Sequence, residues 1–436
     1  MAKRQEKRQE KRHETKTTAT PPLQPVGLLK SLGPGLVTGA ADDDPSGIAT
    51  YSQVGAQFGY GLAWTMLFSF PLMAVIQAIA ARIGCVSGHG IAFNLRRYYS
   101  PWLLRAVVLL LLIANIVNLG ADLGAMGAAL GLLIGGPVHL YTVLFAVVCV
   151  VLEIYMSYAR YAAVLKWATL CLFAYVAVVF AAHVPWGTAL AGTFIPNFVF
   201  DKPHAMAMVA VLGTTISPYL FFWQAGQEVE ELRRRHVKAL CITPREAGPE
   251  LSRIRTDTIV GMGISNLIAL CIIFATAATL NANSVTEIQT SAQAAEALRP
   301  VAGVFTFALF AAGIVATGML AVPVLAGSAA YGVSEVFGWA EGLDHRPKEA
   351  KAFYATIAVA TLGGVALNFT SIDPVKALYW SAVVNGVLAA PLMAVMMVIA
   401  MNRRIMGRLT LPRPMLVVGW LATIVMALAS IGFFVI

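Results

Sequence analysis

Apolar runs of roughly 20 residues succeed one another along most of this chain, each long enough to cross a bilayer as a helix. That pattern constrains the fold more than any other feature. With 58% apolar residues, only 12% charged and a mean hydropathy of +0.73 over 436 residues, the sequence excludes a soluble globular protein. It predicts an all-α polytopic membrane protein seated in the lipid bilayer. The five cysteines, Cys85, Cys149, Cys171, Cys241 and Cys271, show no CxxC spacing or pairing with histidine. Four of them lie in or beside apolar spans and read as small buried apolar residues, not as a disulfide framework or a zinc site.

Eleven spans are expected, near 28–60, 61–86, 102–133, 140–158, 161–184, 204–226, 256–281, 301–335, 351–370, 375–401 and 413–436. The longest polar stretch falls at about 227–255. Starting from a cytoplasmic N-terminus, this alternation puts every Lys and Arg on one side except Lys202, Arg299 and Lys376. Cytoplasmic loops carry such an excess of basic residues, so the N-terminus is expected inside and the C-terminus outside. Residues 1–26 form a basic cytoplasmic tail containing the near-repeat Lys3–Arg12, with no apolar stretch that a signal peptide would need. Disorder is the first reading of this tail and attraction to anionic headgroups the second. Because the net charge of +9 is placed this way, it does not point to nucleic acid.

The first span is interrupted at 42–47 by three consecutive carboxylates, Asp42, Asp43 and Asp44, and then by Pro45-Ser46-Gly47. A charge at the centre of a span costs about 2.5–3.5 kcal/mol or more, and such residues mark ion or substrate pathways. Proline removes a backbone donor and frees the carbonyl one turn earlier. The sixth span repeats the device at Gly213-Thr-Thr-Ile-Ser-Pro-Tyr219. If 27–184 and 204–401 are two repeats, with 413–436 an extra helix, each repeat has its break in its first helix. Paired Gly/Pro interruptions at corresponding positions point to a transporter binding site.

Asp44 is the best-placed anionic ligand there. Prolines would free carbonyls near Ala41 and Thr214, and Ser217 adds a hydroxyl. These hard oxygen donors suit Mg²⁺, Mn²⁺ or Ca²⁺ better than copper or zinc. Two readings of Asp42 and Asp43 stay open: a water-filled vestibule that attracts cations, or pairing with polar groups of a neighbouring helix. Asp122 is a further intramembrane carboxylate, Asn385 could swing an amide toward the site, and Glu153 is expected to pair with Arg160.

At these motifs the sequence resembles the Nramp family of divalent-metal transporters. Asp44-Pro45-Ser46-Gly47 stands where that family carries Asp-Pro-Gly-Asn. Ile48–Tyr60, Ala81-Arg-Ile-Gly84 and Gly88-His-Gly90 are similar to the family's continuation beyond that motif. The resemblance runs from about residue 27 onward and implies a LeuT-type 5+5 inverted repeat with helices 1 and 6 broken. It also implies that the family's asparagine ligand is Gly47 here, leaving at most a backbone oxygen. Ser217-Pro218-Tyr219 replaces Met-Pro-His, and Gln224 replaces a second histidine. Asp122 occupies the place of a proton-pathway aspartate. The nearby glutamate position is Ala125, and the ninth span offers only Lys351 where the family has arginines.

These departures resemble the Nramp-related magnesium-transporting branch. The implied activity is secondary transport of divalent metal cations, Mn²⁺ or a broad set including Mg²⁺, with much of the proton route missing and no cofactor beyond the transported ion. A symporter of a small organic solute on the same fold is the alternative. The acidic triplet argues against it, because helix N-termini at the breaks would hold a substrate carboxylate in that class. No HExxH, GxSxG or Walker motif suggests an enzyme.

Overall fold

The computed structural model describes residues 34–156, 172–343, 345–370 and 373–435. The expected tail at 1–26, Arg160, Cys171 and the first half of the fifth span lie outside the described residues. In chain order the helices are α1 (Pro34–Asp42), α2 (Pro45–Phe58), α3 (Trp64–Ser87), α4 (Ile91–Tyr98), α5 (Pro101–Ile134), α6 (Val138–Tyr155), α7 (Phe173–Ala181), α8 (Trp186–Phe194) and α9 (Lys202–Thr215). They continue with α10 (Pro218–Arg234), α11 (Ala247–Thr279), α12 (Ser291–Glu296), α13 (Arg299–Ala302), α14 (Thr306–Phe337), α15 (Lys351–Leu367), α16 (Pro374–Met401), α17 (Arg403–Met406) and α18 (Arg413–Val435). No strand occurs among the described residues.

Among those residues, eight helical stretches are long and apolar enough to cross a membrane, with α9 and α10 forming one of them. The other three expected spans coincide with the interrupted α1–α2 pair, with α7, and with the shorter apolar α15. The α9–α10 stretch is enclosed on nearly all sides, whereas α6 and α18 lie at the rim. Val417, Leu421, Ile424, Leu428 and Ile431 form an exposed stripe along α18. Their three- and four-residue spacing keeps them on one helix face, and so large an apolar surface suits lipid contact.

Both breaks are narrower than the sequence suggests. Pro45 and Pro218 each begin a half-helix, a position where the missing N–H costs nothing and the fixed φ favours the first turn. Only Asp43 and Asp44 separate α1 from α2, and only Ile216 and Ser217 separate α9 from α10. The polar stretch at 227–255 is also shorter than expected, because α10 runs on to Arg234 and α11 already starts at Ala247. Several of its acidic and basic side chains, Glu228, Arg235, Glu250 and Arg253, are joined in ion pairs.

Close backbone contact locks the half-helices before the breaks against their supports. A Cβ on Gly39 of α1 would lie 2.3 Å from the Gly261 carbonyl carbon of α11. One on Gly213 of α9 would lie 2.1 Å from the Ala382 carbonyl oxygen of α16. Small residues at such crossings let helix backbones touch, the main way helices associate in lipid.

Candidate functional site

The two breaks face each other. A Cβ on Gly47 would come within 3.2 Å of the Thr214 hydroxyl, 3.3 Å of the Asp42 carbonyl and 3.4 Å of Asp44 Oδ1. Glycine at 47 is therefore what permits the first turn of α2 to approach the end of α9. Asp44 is the N-cap of α2 and is 1% exposed. Its Oδ1 accepts the Gly47 amide and the Ser46 hydroxyl, each at 2.7 Å, which fixes the carboxylate at the helix start. Its Oδ2 faces the second break, where the Tyr219 hydroxyl lies 3.2 Å away.

Pro45 cannot bond the Ala41 carbonyl, and Pro218 cannot bond that of Thr214. Both freed carbonyls meet hydroxyls from the second break. The Tyr219 hydroxyl lies 3.1 Å from the Ala41 oxygen, and the Ser217 hydroxyl lies 2.9 Å from the Thr214 oxygen. Ser217 reaches the Gly213 carbonyl at 2.9 Å as well, so it turns back onto α9 instead of capping α10. The Thr214 hydroxyl is buried beside the Tyr51 hydroxyl of α2. Asp44, the freed Ala41 carbonyl and the Tyr219 hydroxyl thus meet in a buried space, with the Thr214 hydroxyl beside them across Gly47. No three His, Cys, Asp or Glu side chains gather to hold a metal among the described residues, so any ion here would rest mainly on backbone and hydroxyl oxygens.

Asp42 and Asp43 turn to a neighbouring helix. The Ser265 hydroxyl of α11 lies 2.7 Å from Asp42 Oδ2 and 3.0 Å from Asp43 Oδ1. Both carboxylates are buried, and Asp43 with Ser265 borders a small cavity of about 50 Å³ between α1 and α11.

The sequence profile of the Natural resistance-associated macrophage protein-like (Nramp) family matches residues 35–435. The chain belongs to the Nramp family. It is 29% identical over 300 residues to a divalent metal cation transporter MntH of Verminephrobacter eiseniae, a match covering 66% of this chain and 65% of that protein. It is 27% identical to the protein of the same name from Xylella fastidiosa, over 90% of this chain and 82% of the relative. A crystal structure of the Eremococcus coleocola manganese transporter, in complex with an aromatic bis-isothiourea substituted compound, superimposes with a TM-score of 0.72 at 17% identity. That match covers 92% of this chain and 86% of the other, and it establishes the LeuT-type fold.

In this Nramp chain Asp122 of α5 is fully buried, with the Ser46 amide of the first break beside its carboxylate. It lies near enough to Asp44 for their charges to interact. Asn385 makes no hydrogen bond to either break in this structure. Its Oδ1 accepts the Asn118 amide at 2.8 Å, and Asn118 stands one turn before Asp122 on α5. Asn115 bonds the Leu325 carbonyl and the Ser328 hydroxyl of α14. Asn115, Asn118 and Asp122 share one face of α5, a spacing that would have identified this polar strip from sequence. Glu153 is buried with no hydrogen-bond partner among the described residues, its expected partner Arg160 being outside them.

Beside α2 a cavity of about 660 Å³ opens between α9 and α16, lined by Ala49, Gln53 and Gln57 with Lys202, Met206 and Trp380. Ala49 stands two residues beyond Gly47. Toward the other end of α1 a polar network joins the helices. Thr38 bonds Gln224, whose amide reaches Glu228 at 3.1 Å. Arg253 bonds Glu228 at 2.6 Å and Glu250 at 2.7 Å, and Arg235 also bonds Glu250 at 2.7 Å. Asp257 accepts the Gly35 and Leu36 amides at 2.7 and 3.1 Å, capping the start of α1. Tyr219, Ser265 and this ion-pair network are the functional candidates that sequence reasoning missed.

Proposed function

We propose that this chain carries divalent metal cations across the bacterial cytoplasmic membrane by alternating access, with its N-terminus inside. The observation that carries the reading is the facing pair of breaks, where Asp44, the Ala41 carbonyl and the Tyr219 hydroxyl meet beside the Thr214 hydroxyl, and the Thr214 carbonyl and Ser217 are taken as further donors of the second break. Gly47 contributes space and no side-chain ligand. An all-oxygen donor set favours hard ions, Mn²⁺ or a broad set including Mg²⁺. The family resemblance and the names of the relatives support a divalent cation as substrate.

The cavity beside Gln53 and Gln57 is the outer approach, and the network around Arg253 closes the inner end. In this reading Asp42 and Asp43, with Ser265, hold negative charge beside the pathway, while Asp122 and Asn385 border it. Ala125 and Lys351 stand where the family has a glutamate and arginines, which supports transport without obligatory proton coupling. Residues 27–184 and 204–401 form the two repeats in this reading, and the chain makes eleven spans.

The test is flux of Mn²⁺, Mg²⁺, Ca²⁺ and Cd²⁺ into liposomes, with lumenal pH tracked in parallel. Asp44→Ala abolishes flux of every ion. Undiminished metal flux in that variant refutes the site, and metal-linked acidification of the lumen refutes the absence of proton coupling.

A further inference from the structure

We infer that Tyr219 sets the ion preference of this site as an additional hard ligand, an inference that rests on the divalent-cation reading above. The residue sits in the first turn of α10, fully buried, so its ring has no room to swing aside. Its hydroxyl lies 3.1 Å from the Ala41 carbonyl and 3.2 Å from Asp44 Oδ2. The freed carbonyl and the anion of the first break therefore converge on one phenolic oxygen contributed by the second.

A phenol has one hydrogen, and here two acceptors compete for it. A divalent ion held by Ala41 and Asp44 would sit about 2.0–2.6 Å from each oxygen, in the place of that hydrogen. The hydroxyl then turns its hydrogen away and presents lone pairs, and no proton leaves the phenol. Every ion entering the site displaces the same phenolic hydrogen from these two oxygens. A hard ion regains more from a neutral oxygen at fixed distance than a soft one does, because soft ions favour sulfur and nitrogen donors. Tyr219 thus discriminates through what it returns to the bound ion. Ser217 cannot do this in the same way, since its hydroxyl turns back onto Gly213 and Thr214.

The experiment measures Mg²⁺, Mn²⁺ and Cd²⁺ flux by the full chain in liposomes, for the wild type, Tyr219→Phe, Tyr219→His and Asp44→Ala. The readout is the flux ratio of each hard ion to Cd²⁺, which a loss of folded protein leaves unchanged. Tyr219→Phe lowers that ratio by about tenfold, the equivalent of 1.4 kcal/mol. Tyr219→His lowers it further, because an imidazole nitrogen suits softer ions. Ratios within about twofold of wild type in both variants overturn the inference, since so small a change is under 0.5 kcal/mol. Full flux in Asp44→Ala overturns instead the site on which it rests, so the two failures are distinguishable.

Discussion

Replacing Arg253 with glutamine removes the cation that joins Glu228, Glu250 and Asp257. Glu250 keeps Arg235 at 2.7 Å, and Asp257 keeps the Gly35 and Leu36 amides. Glu228, 1% exposed, is left with the Gln224 amide at 3.1 Å and no cation in its place. Breaking a buried ion pair by removing one partner costs about 3–5 kcal/mol, because a charge is left uncompensated. One route for water to Glu228 is fraying of the start of α1, which is fastened here through Thr38, Gly35 and Leu36. If about 3 kcal/mol appears in that opening, its population rises by roughly 10²-fold.

Hydrogen exchange over residues 34–42 measures this directly. The Gly35 and Leu36 amides should exchange about 100-fold faster in Arg253→Gln, a factor set by the same 3 kcal/mol. Adding Glu228→Gln removes the stranded charge and should restore most of the protection. Unchanged exchange at Gly35 and Leu36, accompanied by a lower melting temperature, would refute the idea that the network governs α1 in particular.

Two further outcomes are expected beside the Asp44 and Tyr219 variants. Gly39→Ala forces a Cβ into the Gly261 backbone 2.3 Å away, so it should lower thermal stability by about 1–3 kcal/mol or more. Glu341, in the loop after α14, is pushed up to about 7 by burial, against the pull of Arg233 and Arg96. The folded chain therefore keeps a proton that the unfolded chain releases near the ordinary value of 4.5, and stability falls as pH rises from about 4.5 to about 7. Glu341→Gln should flatten that part of the melting-temperature profile and leave the variant more stable than wild type at pH 8.

The breaks were legible because proline and charge inside an apolar run each have a local, costly consequence that a sequence displays. The fate of Asp42 and Asp43 was not, since it depends on Ser265, 223 positions from Asp42. Tyr219 escaped notice for a different reason. A tyrosine in a membrane helix reads as apolar bulk until its hydroxyl is seen beside a freed carbonyl. Arg253, Glu228 and Glu250 looked like loop charges because nothing local shows that two helices bring them together. Asn118 is the exception: its spacing from Asp122 was visible, and one amide in an apolar helix reads as packing only when considered alone.

Helix α11 links both ends of the molecule. Near its start Asp257 fastens α1 and Arg253 pairs with Glu228 of α10, and Asn281 just past its end bonds the Ala56 carbonyl of α2 at 2.8 Å. A few residues on, Thr286 and Ile288 grip the Gln53 side chain at 3.2 and 2.9 Å, beside the large cavity. With 33 residues α11 is a rod about 50 Å long, touching α1 backbone to backbone at Gly39. If α11 moves as a unit, loosening its Arg253 end should alter the grip on Gln53 at the far end.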